Sequence, residues 1–141
     1  MQKNTIEIRL VESWPEDDIV ELYKAGGWWK DSYDKSRIHQ LIAGSFGFAV
    51  AVDRTTGKAV GMGRIISDGV SDAYIQDVVV LQEYRRHDVG KQLVQALIDY
   101  CFSKKLLWLG LIAEPGTDSF YVPLGFRKME RYTPMLYHKE E

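Results

Sequence analysis

Between residues 73 and 113 the chain reads strand, basic turn, helix, strand. AYIQDVVVL ends in three valines, and EYRRHDVG is a turn carrying the adjacent Arg85 and Arg86. Val89, Leu93, Ala96, Leu97, Tyr100 and Cys101 then recur at helical spacing, with Lys91, Gln92, Gln95, Asp99 and Ser103 opposite them. LLWLGLIA, residues 106–113, is the short continuous apolar run expected of a strand buried on both faces. This βαβ order commits the chain to an α/β architecture. It also makes a place for an anion, because the first amides of a helix point outward, the helix dipole favours negative charge and Gly90 lets a ligand approach the backbone.

The flanking sequence supplies the rest of a sheet. Residues 5–11 alternate as a strand. In SWPE, Ser13 stands three residues before Glu16 in a capping-box pattern that opens a helix over 15–25, and Gly26 and Gly27 end it. A shorter helix is expected over 33–43, with Tyr33, Ile38, Leu41 and Ile42 on one face. FGFAVAVD (46–53) and KAVGMGRIIS (58–67) form a hairpin through a short turn, and a loop over 67–72 leads into the next strand. Beyond the βαβ unit, a short helix ends near Gly125, and the alternating tail from Phe126 onward predicts one or two closing strands. No repeat or linker divides residues 1–141, which read as one domain.

Charge and cysteine content narrow the partners. A net charge of −2 argues against nucleic acid, which selects a basic footprint, so any anion site is local. Cys101 has no partner for a disulfide and falls on the apolar helix stripe, and no Cys/His group has metal-ligand spacing. The apolar runs are too short for a membrane span, and MQKNTIEIRL lacks a signal-peptide core, so a cytoplasmic location is expected.

Two phosphate motifs fail on inspection. A P-loop needs glycine where Arg85 stands and a hydroxyl residue where Gln92 stands, and a dinucleotide fingerprint needs three glycines where this turn has one. Val80-Leu81-Gln82-Glu83-Tyr84-Arg85-Arg86-His87-Asp88-Val89-Gly90 instead resembles the signature of the GNAT acetyltransferase superfamily, V-x-P-x-Y-R/Q-x-x-G-x-G/A ahead of a helix. GMGRIISDG, LLWLGLIA and SFYVPLGF (119–126) fit the same pattern in the family's order, so the resemblance covers about residues 5 to 138. Asp88 stands in place of the signature's first glycine, Gln82 in place of its proline, and Glu114 where many members carry asparagine.

The resemblance implies a mixed, mostly antiparallel sheet of about 6–7 strands flanked by about four helices, with a βαβ core that binds acetyl-CoA. It places the pyrophosphate on Arg85, Arg86, His87, Asp88, Val89, Gly90 and Lys91, and the pantetheine and thioester on the backbone of Val78, Val79 and Val80. Tyr121 matches the tyrosine that protonates the departing thiolate. For the base the alternatives are Asp77, Glu114 or a water chain with no dedicated base. The position that carries glutamate in some members is Gln76, and strand alternation puts Asp77 on the opposite face. Trp28, Trp29 and Tyr33, joined by Tyr74 and Gln76, are the candidates for an acceptor pocket. The aromatics serve equally well as a cap on the core.

The similarity is greatest to small stand-alone bacterial members and to plant members acting on arylalkylamines such as serotonin. It implies acetyl transfer to a small primary amine, and many members are homodimers, for which the C-terminal segment offers an interface. The alternatives are a coenzyme A-binding module without turnover, an interaction domain on a borrowed fold, and an acetyltransferase acting on protein lysines or N-termini.

Overall fold

The computed structural model describes residues 5–85 and 87–139, in two compact units divided between Leu111 and Ile112. In the first unit β1 (Ile6–Leu10), β2 (Gly47–Asp53), β3 (Lys58–Ser67), β4 (Asp72–Val80) and β5 (Trp108–Leu111) lie in the order 1-2-3-4-5. The first four are antiparallel, and β5 joins β4 in parallel. Helices α1 (Glu16–Ala25), α2 (Ile38–Gly44) and α3 (Val89–Ser103) complete the unit. Among the described residues no helix is long and apolar enough to cross a membrane.

Alternation along β3 sorts the helices onto opposite faces. A Cβ added to Gly61 would meet Leu93 at 2.9 Å, and one added to Gly63 would meet Leu97 at 2.9 Å. These glycines let α3 lie against the sheet, and the helix buries Val89, Leu93, Val94, Leu97, Ile98 and Cys101 there. Each large side chain so buried contributes roughly 1.5–3 kcal/mol. Arg64, one residue on, points to the other face, where it shares Asp77 with Tyr23 of α1. With both faces covered, all seven residues of β2 are buried.

Several sequence expectations change in detail. The Ser13 capping box does not form: Pro15 occupies the N-cap with no side-chain cap, and the acidic first turn, Glu16 to Asp18, faces the helix dipole. Asp18 there accepts from the Trp14 indole at 2.9 Å and from the Ala59 amide at 3.0 Å, tying α1 to β3. The second helix begins only at Ile38, after a 3-10 turn over Lys35–Arg37 capped by Asp34, so Tyr33 lies outside it and exposed.

β5 is a four-residue edge strand rather than one buried on both faces. Leu107 and Ile112, which flank it, are 82% and 75% exposed. The tail from Phe126 to Lys139 contains no strand, and Met135, Leu136 and Tyr137 in it are largely exposed. The sheet therefore has five strands among the described residues, while the mixed fold class stands as expected. Alternation is a local property, but a strand needs a hydrogen-bonding partner, and the tail has none there.

The second unit contains α4 (Asp118–Tyr121), a 3-10 turn over Val122–Leu124, and Gly125 at φ 108, close to the expected end.

Candidate active site

β4 changes character halfway along its length. Asp72–Ile75 pairs with Trp108–Leu111 of β5, whereas Gln76–Val80 has β3 on one side and, among the described residues, no strand on the other. The β3–β4 register shifts in the same place: Arg64 stands opposite Gln76 and Met62 opposite Val79, leaving Asp77 and Val78 against Gly63 alone. This is a β-bulge, and Asp77 takes it at φ 60.

The bulge re-aims Asp77. Residues directly opposite in a sheet share a face, so Gln76 lies with Arg64 on the α1 face. The carboxylate of Asp77 reaches that same face, where its Oδ2 accepts from the Tyr23 hydroxyl at 2.8 Å and from Arg64 Nε at 2.7 Å. The expectation that Asp77 faces away from Gln76 therefore fails, because the extra residue breaks the two-residue period. Burial, then the Asp77 charge, holds the Tyr23 phenol well above the usual tyrosine range.

The turn after β4 is anchored at both ends. Arg85 Nε donates to the Val80 carbonyl at 2.8 Å. Tyr84 donates to Asp53 Oδ2 at 2.6 Å, and the other oxygen of Asp53 accepts from the Thr55 amide at 2.9 Å. The Tyr84 hydrogen bond, followed by that from Thr55, lowers the Asp53 pKa. The bond to Asp53, then burial, raises the Tyr84 phenol to about 12.

Asp88 sits at the N-cap of α3 at φ 60 and ψ 18. The signature's glycine thus falls on a left-handed position, and aspartate is among the few other residues that adopt that conformation readily. Val89, Gly90 and Lys91 follow as the first helical residues, whose amides have no intrahelical acceptor in any α-helix. His87 is half-buried and Lys91 exposed, while Arg86 lies outside the described residues.

On the α1 face Tyr23 meets Trp28 edge-on at 6.2 Å and Trp29 at 6.5 Å, and Trp29 meets Tyr33 edge-on at 5.4 Å. Trp29 and Tyr33, with the carboxylates of Asp17, Glu21 and Asp31 and the lysines Lys24 and Lys35, help line an open groove of about 490 Å³. Lys35 pairs with Asp17 at 3.3 Å and Lys58 with Glu21 at 2.6 Å. Tyr74 packs instead on Trp108 of β5 at 5.1 Å. Tyr74 and Gln76 are both exposed, alternating with buried Ala73 and Ile75.

In the second unit Tyr121 is packed between Phe120 at 4.9 Å and Phe126 at 5.8 Å. Burial, then the charge of Glu114, raises its pKa and keeps the phenol protonated at neutral pH. The Glu114 carbonyl accepts from the amide and the hydroxyl of Thr117.

Sequence reasoning missed Tyr23 and Arg64. Tyr23 reads as one more residue of a buried helical stripe, but Arg64 was detectable in principle, as a lone charge inside the otherwise apolar GMGRIIS.

Comparison with known proteins gives a consistent picture. The model of the Acetyltransferase (GNAT) family matches residues 9–126. The chain is similar to the GCN5-related N-acetyltransferase 2, chloroplastic, of Arabidopsis thaliana, at 30% identity over 80% of this chain and 45% of that protein. It is 29% identical to the uncharacterized N-acetyltransferase ycf52 of Pyropia yezoensis, over 79% of this chain and 64% of that one. It thus spans about half to two-thirds of these relatives. Among solved structures, a GNAT-family acetyltransferase from Streptococcus pneumoniae superposes with a TM-score of 0.79 at 26% identity, covering 96% of this chain and 99% of the other.

Proposed function

Given that the chain belongs to the acetyltransferase (GNAT) family, we propose that it transfers an acetyl group from acetyl-CoA to a primary amine of a small molecule, by direct attack in a ternary complex. The observation that carries this reading is the half of β4, Gln76–Val80, that has no strand on its β5 side among the described residues and runs into an anchored turn and the start of a 15-residue helix. Acetyl-CoA supplies an acyl group activated as a thioester. The residues present suit it: on the side of β4 away from β3 no strand lies beside Val78–Val80 among the described residues, so backbone groups there, apart from the Val80 carbonyl held by Arg85, are open to a ligand, and the first amides of α3 suit a pyrophosphate.

In this reading the amine nitrogen bonds to the thioester carbon and the C–S bond breaks. Amide donors on the carbonyl oxygen are each worth about 3 kcal/mol when preorganised. Tyr121 gives its phenolic proton to the sulfur, and the attacking nitrogen loses its proton through water, with Asp77 and Glu114 the carboxylates to which a base role would fall. Trp28, Trp29 and Tyr33 favour an arylalkyl or alkyl amine through stacking and cation–π contact, whereas the α1 groove carries Lys24 and Lys35 beside its carboxylates, of which Asp17 and Glu21 are paired with lysines. Homodimerisation and the cytoplasmic location belong to the same proposal, although two curated relatives carry chloroplastic names.

Thermal unfolding with acetyl-CoA, desulfo-CoA and ATP tests the ligand. At about 100 times its dissociation constant a ligand adds about 2.7 kcal/mol. Stabilisation by both coenzyme A ligands and not by ATP is expected, and no shift with any of the three refutes the proposal. An acetylation screen of arylalkylamines, polyamines and amino sugars then identifies the acceptor, and Tyr121→Phe should slow turnover about 100-fold or more. Binding without transfer to any amine would leave a coenzyme A-binding module.

A further inference from the structure

We propose that Asp77 is a positioning residue: Tyr23 and Arg64 clamp its carboxylate so that the β4 bulge holds the Val78 amide toward the thioester. The inference rests on the reading of β4 as the acetyl-CoA strand, and it assigns a role to two residues, Tyr23 and Arg64, that carry no other.

Three elements converge on one oxygen atom. Tyr23 comes from α1, Arg64 from β3 and Asp77 from β4, and both donors end on Asp77 Oδ2. Of the three, Tyr23 is only 7% exposed, and the side chains of Arg64 and Asp77 are about one-fifth exposed. A charge-assisted bond at this depth is stronger than its surface counterpart. The backbone under the carboxylate is the costly part: a left-handed residue other than glycine inside a strand persists where its surroundings over-determine it. Gly63, opposite the bulge, makes the room, because a Cβ there would meet Val78 Cγ2 at 3.3 Å as well as Leu97.

The clamp also has a second end. Tyr23 touches the rings of Trp28 and Trp29, the acceptor-side aromatics, so one side chain bears on those rings and on the bulge. With Oδ2 holding two donors, the Asp77 carboxylate fixes the conformation of the bulge.

The test uses acetyl-CoA labelled at its carbonyl carbon, observed by NMR on the bound complex, beside desulfo-CoA affinities from calorimetry. The bound carbonyl signal of the wild type should be displaced from its free value. Asp77→Asn, which tolerates the left-handed backbone and keeps an acceptor for both donors, should preserve the displacement. Asp77→Gly keeps the backbone freedom but removes the clamp, and should return the signal at least halfway to its free value. Tyr23→Phe, which keeps the ring packing, should give a smaller return in the same direction. Desulfo-CoA should bind all four proteins within about twofold, since its pyrophosphate rests on the turn. An undisplaced wild-type signal, a displacement unchanged in Asp77→Gly, or a parallel loss of desulfo-CoA affinity overturns the clamp alone. Failure of the wild type to bind desulfo-CoA removes the ligand reading, and the clamp with it.

Discussion

The two halves of β4 are one continuous strand with opposite roles. Asp72–Ile75 alternates exposed and buried, holds register with β3 and pairs in parallel with β5. Gln76–Val80 has a bulge, a left-handed aspartate and one neighbouring strand among the described residues. Regular pairing consumes backbone groups in the sheet, whereas broken pairing leaves groups on one edge outside the ladder, where the proposal places the ligand. The irregular half is held by side chains that the regular half does not need: Tyr23 and Arg64 at the bulge, and Arg85 on the Val80 carbonyl.

The contrast yields predictions that separate stability from binding. The largest is Ile75→Ala, in the paired half and 3% exposed, which should cost about 3 kcal/mol in chemical denaturation. Its folded fraction should bind desulfo-CoA as the wild type does, and a selective loss of affinity would erase the distinction between the halves. Next, Gly63→Val should cost about 1–3 kcal/mol through overpacking against Leu97 and Val78, and should also weaken acetyl-CoA binding because it presses on the bulge. A Gly63→Val protein with intact affinity would show that the bulge tolerates displacement.

Tyr84→Phe should cost about 1.5–3 kcal/mol, the worth of a hydrogen bond to a charged group, and its effect depends on pH. The folded Tyr84 pKa lies above the unfolded value, so its contribution is fully present below about pH 10 and is lost as pH rises toward about 12. Asp53 is shifted the other way, and its contribution disappears as pH falls through the acid range below its unfolded pKa of about 3.9. Wild type and Tyr84→Phe should therefore differ most near neutrality and converge at both extremes in urea titrations. The smallest effect is Asp88→Gly, which keeps the left-handed N-cap and removes a carboxylate from the anion end of α3. It should tighten desulfo-CoA binding by roughly threefold to tenfold, about 1 kcal/mol, with the gain shrinking in high salt.

Much of this was legible in the residues. The alternation of the first four strands, the apolar stripe of α3 and the turn chemistry around Arg85 and Gly90 are local patterns, and each element formed within a few residues of its expected place. The α1 cap, the start of α2, the depth of β5 and the tail were not legible. Pro15 displaces Ser13 from the cap, Asp34 starts a 3-10 turn ahead of Ile38, β5 has no second neighbour, and the tail's alternation finds no edge to pair with among the described residues. For the site, the family resemblance implied Val78–Val80 and the turn, and their role belongs to the proposal, whereas the face of Asp77 was misread because a bulge leaves no mark on composition.

The order strand, turn, helix, strand, the glycine pair at 61 and 63 and the signature across residues 80–90 are written in the sequence, because they follow from side-chain size, period and backbone freedom along a short stretch of chain. Tertiary structure decided where β4 loses its partner, which way Asp77 turns and which residues hold it. Those outcomes depend on Tyr23, Arg64 and Asp77 meeting across 54 positions of sequence between Tyr23 and Asp77, and local sequence carries no record of such an encounter.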